Sequence, residues 1–169
     1  LRKKLVEYDR RHGYRGPGYR TIQGTDEYLA LPEAGYPENW IETLKRLPVI
    51  GNQEPSIVTK IDNKSIFLLG KSLQEIVLNW EDEAWARPFI NSNERGKRPK
   101  SPKDLFNIGD VIRVEQRNRT DFGLGQIPAI QGAFVAINPK NGAIKALVGG
   151  FDFKQNQFNH VTQARRQPG

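Results

Sequence analysis

The stretch IGDVIRV, from Ile108 to Val114, places a Gly-Asp turn immediately before a β-forming run. This pattern is common where a strand of a small β-barrel begins, and it predicts a strand over Val111 to Glu115. Upstream, Pro102 to Asn107 can form one helical turn. Downstream, a polar turn at Arg117 to Asp121 leads to a last short strand over Phe122 to Pro128. The stretch therefore predicts the second half of a small barrel.

Three further strands are predicted before this stretch. Ser56 to Ile61 alternates, Asp62-Asn63 is a turn, and the runs Ser65 to Leu69 and Leu73 to Leu78 follow on either side of Gly70-Lys71. Five short strands with a helical insertion before the fourth predict a small closed or half-open barrel of the OB type. The predicted fold class is mainly β with short helices (α+β), in which an OB-like small barrel is flanked by a helix and a β-hairpin.

Helical periodicity occurs at two places outside these strands. Leu1 to Tyr8 has Leu1, Leu5 and Tyr8 on one helical face and stops before Gly13, and we expect it to be the tail of a helix from a preceding domain. Glu38 to Leu47 carries an apolar stripe and ends at Pro48. We expect this helix to pack on the following sheet; a partner-binding helix is the alternative. Its stripe consists of Trp40, Ile41, Leu44 and Leu47.

The composition argues against several kinds of site. The 169 residues include no cysteine and two histidines, His12 and His160, which lie far apart in the sequence. We therefore expect no disulfide, no thiolate chemistry, no metal and no cofactor. No apolar run approaches the roughly 18 residues of a membrane span. The sequence has no methionine, so we expect it to be an internal piece of a longer protein.

The positive charge of the chain indicates a negatively charged neighbour. The net charge is +7 and the pI is near 9.7. The stretch Asn91 to Ser101 is polar, basic and broken by Gly and Pro, which predicts a mobile surface loop and makes it a candidate docking surface. Solvated loops that serve solubility are the alternative. The basic residues cluster at Arg2, Lys3, Lys4, Arg10, Arg11, Arg15 and Arg20, and again at Arg95, Lys97, Arg98, Lys100 and Lys103.

No serine lies in a sequence frame that acyl transfer uses. A Ser-x-x-Lys pair on a helix brings the lysine amine to the hydroxyl because residues i and i+3 share a face. Ser101 and Lys103 are one residue too close for this pair. No Gly-x-Ser-x-Gly frame and no phosphate-binding loop occurs. The serines are Ser56, Ser65, Ser72, Ser92 and Ser101, and we expect none of them to be catalytic.

Carboxylates and tryptophans give no clear site either. Glu81-Asp82-Glu83 and Asp26-Glu27 are adjacent carboxylates, which do not share a helical face, and we expect them to be exposed turn charges. Trp80 and Trp85 bracket the triplet, and Glu83 to Ala86 can form a short helical turn. We expect ordinary packing of the tryptophans, with an aromatic platform for a ligand as the alternative.

The end of the sequence predicts a β-hairpin followed by a specific motif. Ala133 to Asn138 and Ala143 to Val148 are β-forming runs on either side of an Asn-Gly turn. The following residues, including Phe158-Asn159 and Gln163 to Gly169, resemble the lead-in to the active-site serine of the class A (bifunctional) penicillin-binding proteins. In that family Arg-Gln-Pro-Gly runs directly into Ser-x-x-Lys. The resemblance implies a nucleophilic serine immediately after Gly169, and therefore no catalytic residue within the chain.

Two further segments resemble the penicillin-binding protein 1a type of this family. VEYDRRHGYRGP, from Val6 to Pro17, resembles the connector that leaves the glycosyltransferase domain, and Trp85-Ala86-Arg87-Pro88 (WARP) recurs in these proteins. The resemblance implies four parts: residues 1–17 as the end of the glycosyltransferase domain, 18–48 as a linker with a helix, 49–130 as an OB-like regulatory or docking domain, and 131–169 as the start of the transpeptidase domain.

The resemblance also implies what the parent protein does. It would polymerise lipid-linked disaccharide and cross-link the stem peptides of peptidoglycan at the periplasmic face of the bacterial inner membrane, anchored by a transmembrane helix outside this chain. The chain itself would be a docking and spacing module, with an outer-membrane lipoprotein activator as partner and β-lactams bound only through the missing serine. The alternative is a basic OB module that binds single-stranded nucleic acid; the main interpretation has no nucleic-acid partner.

Overall fold

The computed structural model describes residues 1–20, 35–118 and 121–165. These residues form two compact units. The central unit comprises Arg10–Ile127, and the terminal unit comprises Leu1–Asp9 together with the chain from Pro128 onward. The Asp26-Glu27 pair and the Arg166-Gln167-Pro168-Gly169 motif lie outside the described residues.

Strands predominate over helices in the described residues. The α-helices within the described residues are α1 (Arg2–Arg10) and α2 (Glu38–Arg46), and short 3₁₀ turns cover Trp80–Glu83 and Pro102–Asp104. The strands are β1 (Tyr19–Arg20), β2 (Gln53–Ile61), β3 (Ser65–Leu69), β4 (Glu75–Asn79), β5 (Phe89–Asn91), β6 (Glu94–Arg95), β7 (Asp110–Gln116), β8 (Phe122–Gly125), β9 (Phe134–Ile137) and β10 (Ile144–Val148).

Six strands of the central unit form one antiparallel sheet that curls into a half-barrel. The order is β1-β7-β2-β3-β4, and β8 also pairs with β7. One edge of β7 pairs with β2, and its other edge pairs with β1 and then with β8. The five predicted barrel strands are all present, so the predicted mainly β, OB-like fold is confirmed. Strand β1 was not predicted because two residues are too few to show a periodic pattern.

The third predicted strand begins two residues later than expected. Leu73 has a left-handed backbone conformation with φ of 62° and lies in the turn before β4. A branched apolar residue rarely adopts this conformation. The Leu73 N–H donates to the Gly70 carbonyl oxygen (2.9 Å), which closes the turn. The β-forming appearance of Leu73 was therefore misleading.

Both faces of the sheet are apolar, which explains the continuous apolar runs in its strands. Consecutive side chains of a strand point to opposite faces. Val58 and Leu68 accordingly lie in the core inside the half-barrel, whereas their neighbours Ile57 and Leu69 pack under α2 on the outer face. Trp40 and Leu44 of α2 are fully buried there, so the predicted packing of this helix on the sheet is confirmed.

A lysine from the β3–β4 turn holds the C-terminal end of α2. Lys71 Nζ donates to the carbonyl oxygens of Leu44 (2.5 Å), Lys45 (3.0 Å) and Leu47 (2.6 Å). The last carbonyls of a helix have no partner within the helix and carry partial negative charge. The ammonium group therefore satisfies these carbonyls and ties the helix to the sheet. Nearby, burial raises the pKa of Glu54, and Lys71 opposes that shift.

The terminal unit contains most of α1 and the predicted hairpin. Strands β9 and β10 pair antiparallel, and Gly142 in their turn has φ of 71°, as the Asn-Gly signal predicted. The helix predicted at the start of the chain is present as α1; Leu5 is buried, and Leu1 and Tyr8 are exposed. Asp9 shares the buried face because its Oδ1 accepts from the Ala129 N–H (3.0 Å). Neither described helix is long and apolar enough to cross a membrane.

Candidate docking surface

The connector that follows α1 is hydrogen-bonded to the WARP segment. The Tyr14 N–H donates to the Arg87 carbonyl oxygen (2.6 Å), and the Phe89 N–H donates to the Tyr14 carbonyl oxygen (2.9 Å). Gly13 precedes this pairing with φ of 98°, and a Cβ there would lie 2.6 Å from the Arg87 carbonyl oxygen. The close approach therefore requires glycine.

A buried glutamine holds the connector from its other side. Gln126 Nε2 donates to the Gly13 carbonyl oxygen (3.0 Å), and its Oε1 accepts from the Arg15 N–H (2.7 Å). Gln53 Nε2 in turn donates to the Gln126 carbonyl oxygen (3.1 Å). The connector is thus fixed to the barrel by backbone and side-chain hydrogen bonds on two sides.

Glu83 is the centre of a buried polar network, which corrects the expectation of exposed turn charges. The residue is 2% exposed. Its Oε1 accepts from the Leu124 N–H (2.9 Å) and from Arg117 (2.9 Å), and its Oε2 accepts from Trp85 Nε1 (2.9 Å). Burial raises the pKa of Glu83, and the Leu124 N–H, Arg117 and Trp85 oppose that shift. Glu81 and Asp82 are exposed, as predicted.

The tryptophans pack as ordinary core and edge residues. Trp40 and Trp80 are buried, and Trp85 packs against the core with partial exposure. The Arg10 guanidinium lies over the Trp85 ring, 4.8 Å from its centroid, and donates to Glu115 (2.8 Å). The expected packing role is confirmed, because all three rings pack in the two core clusters of the central unit.

The basic stretch after the WARP segment contains a hairpin instead of a plain loop. Strands β5 and β6 pair antiparallel, and every residue from Phe89 to Arg95 is exposed. The base is fixed because the Gly96 N–H donates to the Pro88 carbonyl oxygen (2.7 Å) and Arg87 Nε donates to the Gly96 carbonyl oxygen (2.7 Å). The sequence missed this hairpin because its strands are too short, at three and two residues, to show a periodic pattern.

The second basic cluster is exposed, whereas several residues of the first are engaged. Arg2 pairs with Asp152, Lys4 with Glu7 and Arg10 with Glu115. Within the described residues, no salt bridge involves a member of the second cluster. These exposed members are Arg95, Lys97, Arg98, Lys100 and Lys103.

A cavity of about 360 Å³ beside the connector has no serine, carboxylate or histidine in its lining. Its two arginines donate to backbone carbonyls, Arg15 to Ile127 (2.7 Å) and Arg113 to Pro48 (2.6 Å). Ser56 is fully buried in the sheet. The described residues contain no group of three or more His, Asp or Glu placed to hold a metal ion.

The segment after the hairpin is packed around Gly149. The His160 N–H donates to the Gly149 carbonyl oxygen (2.8 Å), and Asn159 Oδ1 accepts from the Val161 N–H (2.9 Å). A Cβ on Gly149 would lie 2.4 Å from Asn159 Oδ1. Phe151 is buried, and its carbonyl oxygen accepts from Arg2 Nε (2.6 Å). The described segment after the hairpin is therefore held by both backbone and side-chain hydrogen bonds.

Comparison with known proteins identifies the family. The family model described as "Penicillin-binding protein OB-like domain" matches residues 14–130. The chain belongs to the penicillin-binding proteins. It is 38% identical over 169 residues to penicillin-binding protein 1A of Pseudomonas aeruginosa and 37% identical over 170 residues to that of Escherichia coli, and both alignments cover the whole chain and 19% of the relative.

A solved structure agrees with this assignment. The crystal structure of penicillin-binding protein 1A from Haemophilus influenzae aligns with a TM-score of 0.74 and 31% identity, over 96% of this chain and 21% of that protein. The resemblance inferred from the sequence is thereby confirmed. The chain spans about a fifth of the length of the penicillin-binding proteins it matches.

Within the penicillin-binding protein family, the matched region is the OB-like domain. The Glu83 network and the β5–β6 hairpin are the features of this domain that sequence reasoning missed. The position of Glu83 between Trp80 and Trp85 was a usable signal, because two large aromatic residues in one short turn favour burial of that turn.

Proposed function

We propose that this chain is the inter-domain part of a bifunctional peptidoglycan synthase. The parent polymerises lipid-linked disaccharide, cross-links stem peptides by acyl transfer and binds penicillin, at the periplasmic face of the inner membrane. The observation that carries the proposal is the family match over residues 14–130 together with whole-chain similarity to penicillin-binding proteins 1A.

The chain's own role in this proposal is docking and spacing. The sequence places no serine in a Ser-x-x-Lys or Gly-x-Ser-x-Gly frame, and buried polar groups of the described residues hold the connector and β8. An outer-membrane lipoprotein that activates the synthase is the proposed partner of the OB-like domain. The four parts with boundaries at residues 17, 48 and 130 remain a prediction.

Penicillin labelling tests where the nucleophile lies. We expect the 169-residue chain to show no covalent labelling by a fluorescent penicillin, because the acylated serine is expected immediately after Gly169. A full-length penicillin-binding protein 1A labelled in parallel serves as the positive control. A labelled band at the mass of the chain, 19.2 kDa, would contradict the assignment.

Lipoprotein capture tests the docking role. We expect the immobilised chain to retain a purified outer-membrane lipoprotein activator and not a lipoprotein of unrelated function. A folded chain that retains neither would favour a spacer without a partner. Strong binding of single-stranded DNA at physiological salt, with steep weakening at higher salt, would instead favour the nucleic-acid alternative.

A further inference from the structure

The β5–β6 hairpin and the basic residues that follow it, here called the basic hairpin (Phe89–Lys103), form an exposed element of the central unit. Every residue from Phe89 to Arg95 is exposed to solvent. An isolated two-stranded hairpin is marginally stable at best in water. A hairpin that adds so little buried surface to the domain is better placed to contact a partner than to stabilise the fold.

The backbone of the basic hairpin is fixed at several points. Tyr14 accepts from the Phe89 N–H (2.9 Å), and His12 Nδ1 donates to the Ser92 carbonyl oxygen (2.8 Å). At the other end, Asp104 Oδ2 accepts from the N–H groups of Lys100 (2.9 Å) and Ser101 (3.1 Å). The cations between these points therefore stand on a pre-organised backbone, which lowers the entropic cost of binding.

The charge of the basic hairpin fits an extended polyanion. Five basic residues accompany a single acidic residue, Glu94, between Phe89 and Lys103. The stretch from Arg95 to Lys103 can extend over at most about 30 Å. A single small anion needs only one or two of these cations, whereas a polymer with repeated carboxylates can engage all of them.

The polar tip and the single aromatic ring of the basic hairpin indicate which kind of polyanion it fits: an anionic lipid layer, a single-stranded nucleic acid or a charged glycan. Asn91, Ser92, Asn93 and Glu94 form the tip, so insertion of the hairpin into a lipid layer would bury amides and a carboxylate. Single-stranded nucleic acid is bound by successive aromatic platforms, and this element has only Phe89, which is 39% exposed. Amides, a hydroxyl and one ring instead suit the hydroxyls and apolar faces of sugars.

We propose that the basic hairpin binds a glycan strand that carries carboxylate-bearing peptides. Arg95, Lys97 and Arg98, with Lys100 and Lys103, pair with the peptide carboxylates, while Phe89 and the Asn91–Asn93 tip contact the sugar chain. The inference rests on the proposed function, because such a strand is the product of glycan polymerisation and the substrate of cross-linking. The element would then guide the strand between the two reactions.

Binding of purified strands to the full 169-residue chain tests this inference. The probes are soluble uncross-linked glycan strands with their stem peptides, the same strands after enzymatic removal of the peptides, and strands whose carboxylates are amidated. We expect the intact strands to bind at least tenfold more tightly than either modified probe, with affinity falling as salt rises, because the cations recognise the carboxylates.

Two triple variants with the same change of charge provide the comparison. K97Q/R98Q/K100Q removes three cations of the basic hairpin, and K45Q/K60Q/K64Q removes three exposed lysines elsewhere in the central unit. We expect at least a tenfold loss of affinity for intact strands in the first variant and less than a twofold change in the second. Phe89→Ala should weaken the binding of intact strands and of peptide-free strands by the same factor. Thermal unfolding of both triple variants should remain cooperative, which shows that each variant is folded.

Several results would overturn the proposal. They are equal binding of intact and amidated strands, equal losses in the two triple variants, or tighter binding of anionic phospholipid vesicles or single-stranded DNA than of intact strands. Lipoprotein capture by K97Q/R98Q/K100Q separates this inference from the docking role. If this variant still captures the lipoprotein but no longer binds strands, both the docking role and this inference are supported. If it no longer captures the lipoprotein but still binds strands, the basic hairpin binds the lipoprotein and the inference is overturned.

Discussion

Replacing Glu83 by alanine is expected to lower the free energy of unfolding by about 3–5 kcal/mol, the usual cost of removing one partner from a buried charged network. The carboxylate is 2% exposed and accepts from the Leu124 N–H, Arg117 and Trp85 Nε1. Alanine leaves these three donors without their acceptor. Since they belong to β8, to the turn before it and to the WARP segment, we expect all three to loosen together.

Urea unfolding followed by tryptophan fluorescence measures this effect, and two variants calibrate it. Glu81→Ala removes an exposed carboxylate from the same 3₁₀ turn, where Glu81 pairs with Lys64 at 3.5 Å. We expect it to change stability by less than about 0.5 kcal/mol. Glu83→Gln keeps one acceptor oxygen, so its loss of stability should lie between the losses for Glu83→Ala and Glu81→Ala. A loss for Glu83→Ala as small as that for Glu81→Ala would show that the network is dispensable.

The pH dependence follows from the direction of the pKa shift. Burial raises the pKa of Glu83 above its ordinary value of 4.5. Between that value and the raised pKa, the folded state binds more protons than the unfolded state, so stability falls as pH rises. The stability advantage of wild type over Glu83→Gln should therefore be largest below pH 4.5 and should shrink as pH rises through the raised pKa. An advantage that grows over this window would contradict the shift.

The Glu83 result also shows which parts of the fold the sequence could predict. Strands such as Ser65–Leu69 were predicted with correct bounds because apolar runs between turn residues are a local signal. The role of Glu83 depends on Leu124 and Arg117, which lie 41 and 34 residues away in the sequence. From the local sequence alone, a carboxylate in a run of three acidic residues is predicted to be exposed. Its burial depends on hydrogen-bond donors that only the folded chain brings close to it.

The same contrast holds for the candidate docking surface. The five basic residues were visible in the sequence, and so was their exposure, since charged residues are rarely buried alone. The Phe89 N–H donates to the Tyr14 carbonyl oxygen, which lies far from the hairpin in the sequence, and neither this bond nor the pairing of Phe89 with Arg95 leaves a periodic sequence pattern. The sequence therefore predicted a mobile loop where the structure has an anchored hairpin.

Replacing Lys71 by methionine is expected to lower the free energy of unfolding by about 2 kcal/mol, since hydrogen bonds from charged groups are each worth more than neutral ones. Methionine retains most of the aliphatic stem but removes the ammonium that donates to Leu44, Lys45 and Leu47. The last carbonyls of α2 then lose a partner. The expected loss stays moderate because Lys45 and Arg46 still place positive charge in the last turn of the helix.

Two measurements distinguish this anchoring from a general effect of charge. Lys64→Met removes an exposed lysine, with 79% of its side chain accessible, and should change stability by less than about 0.5 kcal/mol. In Lys71→Met the pKa of Glu54 should rise further, because burial already raises it and Lys71 is the charge that lowers it; NMR titration of Glu54 measures this. Amide hydrogen exchange should also increase in α2 and remain unchanged in β7. If exchange rose equally in both elements, Lys71 would stabilise the whole barrel and not the end of this helix.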